Sequence, residues 1–156
     1  MQQKHLFRND IIFDSKPDPV PYHYRLSYRA ALSSLILRKT TGRSGFSLAK
    51  LHLVTTSMYS NKGMEELLNY VNRHPDNYII LRFDPTVNKT VEFMLADEFI
   101  YQQQNGLFRL TKKGRNFADE IMREGKLLQE EISFLDRLST RLTESMMNDL
   151  TNKLMG

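Results

Sequence analysis

The residues able to do chemistry are few, and their spacing argues against catalysis. Four histidines, His5, His23, His52 and His74, stand apart. None forms a His-Glu-x-x-His run or another metal-ligand spacing. The TGRSG stretch from Thr41 to Gly45 has loop glycines. It lacks the Gly-Lys-Ser/Thr ending with which a phosphate loop holds phosphates and Mg²⁺. The adjacent acids Asp97-Glu98 and Glu130-Glu131 would diverge by about 100° on a helix, so neither pair converges as a general acid and base. There is no cysteine, which removes disulfides, thiolate metal sites and a cysteine nucleophile and suits a reducing compartment. The expectation is a chain with no catalytic residue, metal or cofactor.

Binding chemistry is better represented. The net charge of +4 conceals an asymmetry. Pro19 to Gly63 contains no acid, and Arg25, Arg29, Arg38, Lys39, Arg43, Lys50 and Lys62 give that tract +7. Residues 64–156 hold 12 basic and 15 acidic side chains, a net of −3, and residues 1–18 balance at zero. Cations without local acids point to a polyanion or an acidic protein surface as partner. Arg25 and Arg29, four apart, share a helical face, and Arg38, Lys39 and Arg43 surround the loop that follows. These five are expected to be the main nucleic-acid contact. Arg109, Lys112, Lys113 and Arg115 add a secondary set of phosphate contacts.

The elements that must position these cations are legible as patterns. Residues 1–21 read as an extended arm, because Pro17, Pro19 and Pro21 exclude a helix. Tyr24, Tyr28, Ala31, Leu32, Leu35 and Ile36 predict a helix over Tyr22 to Lys39. Ser47 is the N-cap of a second helix carrying Leu48, Leu51, Val54, Thr55 and Met58. Asn61 is read as the cap of a third, through Leu67, Leu68 and Val71. Tyr78 to Phe83 is a β-prone run. Asp84-Pro85 then resembles an N-cap followed by first-turn proline, opening an amphipathic helix on Val87, Val91, Met94 and Leu95.

Asn105-Gly106 between two short β-prone runs predicts a hairpin whose two central residues both need φ > 0. Thr111 opens another helix, to Glu124. Past Gly125, which either kinks the chain or lets it run on, Leu128, Ile132, Leu135, Leu138, Leu142, Met146 and Leu150 recur at steps of three and four. That predicts one long helix with a seam. The strip Leu135, Leu138, Leu142 and Met146 is expected against a partner subunit or a second copy, with the domain's own core as the alternative cover.

Helix, hairpin, helix is how a winged helix ends. The fold class expected is mainly α with a small β-hairpin: a winged helix-turn-helix over 22–124, an extended arm over 1–21 and a long C-terminal helix over 125–156. The recognition-helix position, Pro85 to Ile100, carries Lys89 against Glu92, Asp97 and Glu98, a net of −2. Phosphates repel such a helix. No run approaches the roughly 20 apolar residues of a membrane span, and the first residues do not read as a signal peptide. A cytoplasmic location with no membrane partner is expected.

Four stretches taken together carry a family resemblance. They are PYHYRLSYRAALSSLIL at Pro21 to Leu37, SLAKLHLVTTSM at Ser47 to Met58, LRFDPTVNKTVEFMLADEFI at Leu81 to Ile100 and NGLFRLTKKG at Asn105 to Gly114. The chain resembles, over roughly Tyr22 to Glu124, the small middle component of bacterial ABC-three-component defence systems, including the Lamassu type. The resemblance implies a non-enzymatic winged-helix subunit in anti-phage or anti-plasmid defence. Its implied partners are an SMC/Rad50-like ATPase and an effector subunit, often a nuclease. The subunit would bridge the two, or contact double-stranded DNA beside the ATPase heads. The competing readings are a stand-alone winged-helix transcription regulator dimerising through its C-terminal helix, and a scaffold without nucleic-acid contact.

Overall fold

The computed structural model describes residues 22–73 and 78–155; the expected arm over residues 1–21 lies outside them. Within the described residues seven helices and one hairpin follow in order: α1 (Tyr22–Thr40), α2 (Leu48–Ser57), α3 (Asn61–Val71), α4 (Pro85–Ala96), β1 (Ile100–Gln102), β2 (Phe108–Leu110), α5 (Lys112–Glu124), α6 (Gln129–Leu138) and α7 (Glu144–Met155). The mainly helical class with a small antiparallel sheet is therefore observed. None of the helices in the described residues is long and apolar enough to cross a membrane.

Helix α1 runs through the centre. Every residue from Ala30 to Leu37 is buried, serines included, so this helix has no solvent face over two turns. A helix covered all round belongs inside a bundle, and α1 packs on α2, α4, α5, α6 and β2. The short side chains of Ala30, Ala31, Ser33 and Ser34 let the surrounding helices come close.

Local chemistry fixes the helix starts. Ser47 Oγ accepts from the Lys50 N–H at 3.1 Å, and Thr111 Oγ1 accepts from the Gly114 N–H at 3.0 Å. Asp84 caps α4 by accepting from the Thr86 N–H at 2.9 Å, with Pro85 in the first turn. The third helix is capped by Ser60, whose Oγ accepts from the Gly63 N–H at 2.9 Å. Asn61, expected as the cap, is instead its first helical residue.

Two expectations about shape are corrected. The long C-terminal helix is two helices. Gly125 takes φ 73° and ends α5, Leu128 takes φ 57° before α6, and Ser139 takes φ 51° after it. Left-handed residues break the i→i−4 ladder, and Thr143 restarts it by accepting the Met146 N–H at 3.1 Å. The apolar strip turns inward across this break. Leu135, Leu138 and Leu142 each have 0% exposure, and Met146 packs half-buried on the core. The strip is core, not an open seam, because folding back at Ser139 brings both helices onto the rest of the domain.

The second correction concerns the hairpin. The Gly106 N–H donates to the Gln103 carbonyl at 2.9 Å, and the Gln103 N–H to the Leu107 carbonyl at 2.8 Å. Gly106 has positive φ and Asn105 does not. This is a three-residue loop with glycine in the left-handed position, not a two-residue turn.

Candidate nucleic-acid interface

The acid-free tract is where the expected polyanion contact was strongest, and most of it is neutralised from within. Arg38 makes a two-pronged contact with Asp119 on α5, Nε to Oδ1 at 2.8 Å and NH2 to Oδ2 at 3.3 Å. That hydrogen bond holds the Asp119 carboxyl below the usual carboxylate range and raises the Arg38 pKa. Lys39 pairs with Asp136 on α6. Arg29 donates to the Tyr59 hydroxyl at 2.6 Å and lies 4.0 Å from the Asp84 carboxylate. Its guanidinium also stacks over the Tyr59 ring, 5.3 Å from the centroid.

Lys50 is buried, with Nζ 3.9 Å from Glu144 and 4.6 Å above the Phe46 ring. Burial pushes its pKa down and the Glu144 charge opposes that shift. Four of the tract's seven cations thus meet acids from residues 84–144. Subtracting them leaves Arg25, Arg43 and Lys62 without an acidic partner among the described residues. Of the five cations expected to face a polyanion together, Arg29, Arg38 and Lys39 are paired with acids instead. A positive first half and a negative second half attract one another, and α1 carries the cations into the middle of the acids.

The hairpin is the place where cations remain available. Phe46, between α1 and α2, bridges Phe108 of β2 in both directions, its N–H to the Phe108 carbonyl at 3.0 Å and the Phe108 N–H to its carbonyl at 2.8 Å. The loop before it is thereby laid along the hairpin. Gln103 Nε2 donates to the Ser44 carbonyl at 2.9 Å, and Arg109 NH1 to the Arg43 carbonyl at 2.6 Å. Gly45 makes the close approach workable, since a Cβ there would lie 2.5 Å from Gln103 Nε2 and 2.9 Å from Leu107 Cβ.

Arg43 therefore stands beside Arg109, 66 residues away in sequence. The start of α5 adds exposed Lys112 and Arg115, the latter donating to the Leu110 carbonyl at 3.3 Å. Carbonyl partners leave the guanidinium charges in place, and none of these four cations has a salt bridge within the described residues.

Lys113, expected with them, behaves otherwise. Its ammonium donates to the Asp97 carbonyl at 2.8 Å, lies 3.6 Å from the Asp97 carboxylate and sits 4.7 Å above the Phe99 ring. It ties α5 to the end of α4. The α4 surface offers little to compensate. Asn88 is committed to His52 at 3.1 Å, which leaves Lys89 against Glu92 outward. His52 itself is a buried structural residue. Its Nδ1 accepts the Asp84 N–H at 3.0 Å, so the proton sits on Nε2 and is donated to Asn88.

Of the nine cations predicted to meet nucleic acid, Arg43, Arg109, Lys112 and Arg115 are brought to the hairpin and the start of α5. Arg25 is exposed on α1. Arg29, Arg38, Lys39 and Lys113 are engaged elsewhere. Arg109 gains weight from the Phe46–Phe108 bridge, a pairing across 62 residues that no local spacing signals. Comparison with family models, curated proteins and solved structures finds no match to this chain.

Proposed function

We propose that the chain is a winged-helix subunit without turnover of its own. In this reading it holds double-stranded DNA by the wing and docks on an SMC/Rad50-like ATPase, linking it to an effector subunit, often a nuclease, in anti-phage or anti-plasmid defence. The order α1, Phe46 bridge, α2, α3, α4, hairpin supports the winged-helix reading, with α4 in the recognition position. The four stretches that resemble the defence-system middle component support the role. One observation carries the DNA contact: Arg109 bound to the Arg43 carbonyl, which brings the main chain of Arg43 against the Arg109 guanidinium at the hairpin.

The proposed contact is to phosphates and not to bases. Arg43, Arg109, Lys112 and Arg115 are suited to backbone oxygens, which position a protein without reading sequence, while α4, with Lys89 against Glu92, brings no net positive charge to a groove. Binding is then largely sequence-independent and salt-sensitive. The regulator reading is disfavoured by the burial of Leu135, Leu138 and Leu142, which takes these three leucines away from a dimer seam.

The test is tandem purification of the tagged chain from cells expressing it with the products of its neighbouring genes. The proposal predicts that a large coiled-coil ATPase co-purifies and that the complex retains random-sequence duplex. A chain that purifies alone, dimeric and bound to a single sequence motif would overturn it in favour of the regulator.

A further inference from the structure

The run Tyr78 to Phe83 has the composition of a strand but joins no sheet. Its burial alternates as far as Arg82, with Tyr78, Ile80 and Arg82 outward and Ile79 and Leu81 inward, and Phe83 is exposed after them. A period of two is that of an extended chain. Tyr78 is 77% exposed, Ile80 55% and Phe83 60%, while Leu81 anchors the run in the core. No main-chain N–H or C=O from Ile79 to Phe83 has a hydrogen-bond partner among the described residues. Beside the run lies an open groove of about 470 Å³, whose other wall is the α2–α3 corner at Ser57, Ser60, Lys62 and Glu66.

We propose that this groove takes an extended peptide of a partner protein, added as a strand along Ile79 to Phe83. The unpaired main chain selects for another main chain, because each N–H and C=O on an open edge gains a partner when a strand is added. Tyr78, Ile79 and Ile80 are the large apolar side chains in an otherwise polar lining, and they select β-branched or aromatic side chains on the peptide face opposite them. The charges select its flanks: Lys62 and Arg82 have no acidic partner among the described residues, against the single acid Glu66 in the lining. The occupant therefore carries carboxylates beside its apolar residues. A second copy of this chain fits less well, since its equivalent run brings another Arg82 and no acid of its own to the groove. The inference does not depend on the DNA contact, which is assigned to a different set of residues.

The experiment pans a phage-displayed library of random short peptides on the full chain. The expected consensus alternates Val, Ile, Phe or Tyr with other residues and has acids at its ends. The selected peptides should weaken roughly tenfold or more on Ile80→Asp, the effect of losing one buried aliphatic contact. They should also lose binding when alternate peptide amides are N-methylated. On the unaltered chain, peptide saturation should slow hydrogen exchange at the amides of Ile79 to Phe83. Four results would overturn the proposal: no enriched consensus, selected peptides indifferent to N-methylation, a consensus matching this chain's own Ile11-Ile12-Phe13 run, or a mass that doubles with concentration and is restored to one copy by Ile80→Asp.

Discussion

Leu138→Ala distinguishes a core helix from an interface helix. Leu138 lies at the end of α6 with 0% exposure, one turn after Leu135 and just before Leu142, both also at 0%. Burying a leucine contributes about 1.5–3 kcal/mol by area alone, and the cavity left behind raises the cost of truncation to about 2–5 kcal/mol. The site cannot collapse easily, because α6 rests on both α1 and α3 and α1 is held on every side. We expect a loss of about 3–4 kcal/mol, the upper part of that range. For a domain of this size that lowers the melting temperature by roughly 10 °C. Urea denaturation followed by helical circular dichroism measures it, with mass by light scattering alongside. Met146→Ala, on a half-buried side chain, should lose about 1 kcal/mol or less. A Leu138→Ala protein that melts like the parent but no longer assembles with a partner would refute the reasoning, and would mean that α6 is presented outward after all.

Three further outcomes follow from single contacts. Gly114→Ala should cost about 2–3 kcal/mol and speed amide exchange in the hairpin, since its Cβ would stand 2.1 Å from the Phe99 carbonyl oxygen; normal exchange would show that the strand moves freely. Glu144→Ala should destabilise by about 2–4 kcal/mol by leaving the Lys50 ammonium buried alone, whereas Lys50→Met should be within about 1 kcal/mol of the parent or more stable; thermal melts of the two variants decide it. Asp119 has a lowered folded pKa against its ordinary 3.8, chiefly through the Arg38 hydrogen bond. Its stabilisation is therefore complete above the unfolded value and lost as pH falls through the folded one. Arg38→Gln should flatten that part of the acid limb in a pH series of urea midpoints, and an unchanged limb would count against the pair.

The helices were readable where side chains act locally. Ser47, Asp84 and Thr111 signal helix starts because their oxygens cap the nearest free N–H groups. The Leu-Thr-x-x-Gly pattern at Leu110 to Gly114 also has a local cause: Thr111 caps, and Gly114 alone admits the Phe99 carbonyl. What long-range pairing decides was not legible. The period of Leu135, Leu138 and Leu142 is the same for an interface and for a core, and the break at Ser139 carries no glycine or proline to announce it. The charge asymmetry was real, but sequence alone did not reveal that Asp119 and Asp136 would come to rest against Arg38 and Lys39. Nearness in sequence groups Arg43 with those two. The Phe46–Phe108 bridge instead delivers it to Arg109.

We propose that the hairpin end, and not the α1 tract, meets a polyanion. Fluorescence anisotropy with a random-sequence duplex over a salt series tests it most directly. If Arg43, Arg109, Lys112 and Arg115 each neutralise one phosphate, log affinity should fall against log salt with a slope near −3.6, from roughly −0.9 per phosphate. Arg43→Gln with Arg109→Gln should bring the slope to about −1.8 at the same per-phosphate value. Arg38→Gln with Lys39→Gln should leave it within about 0.5 of the parent, because those cations are already spent on Asp119 and Asp136. A larger flattening from the Arg38 and Lys39 pair than from the Arg43 and Arg109 pair would contradict the account.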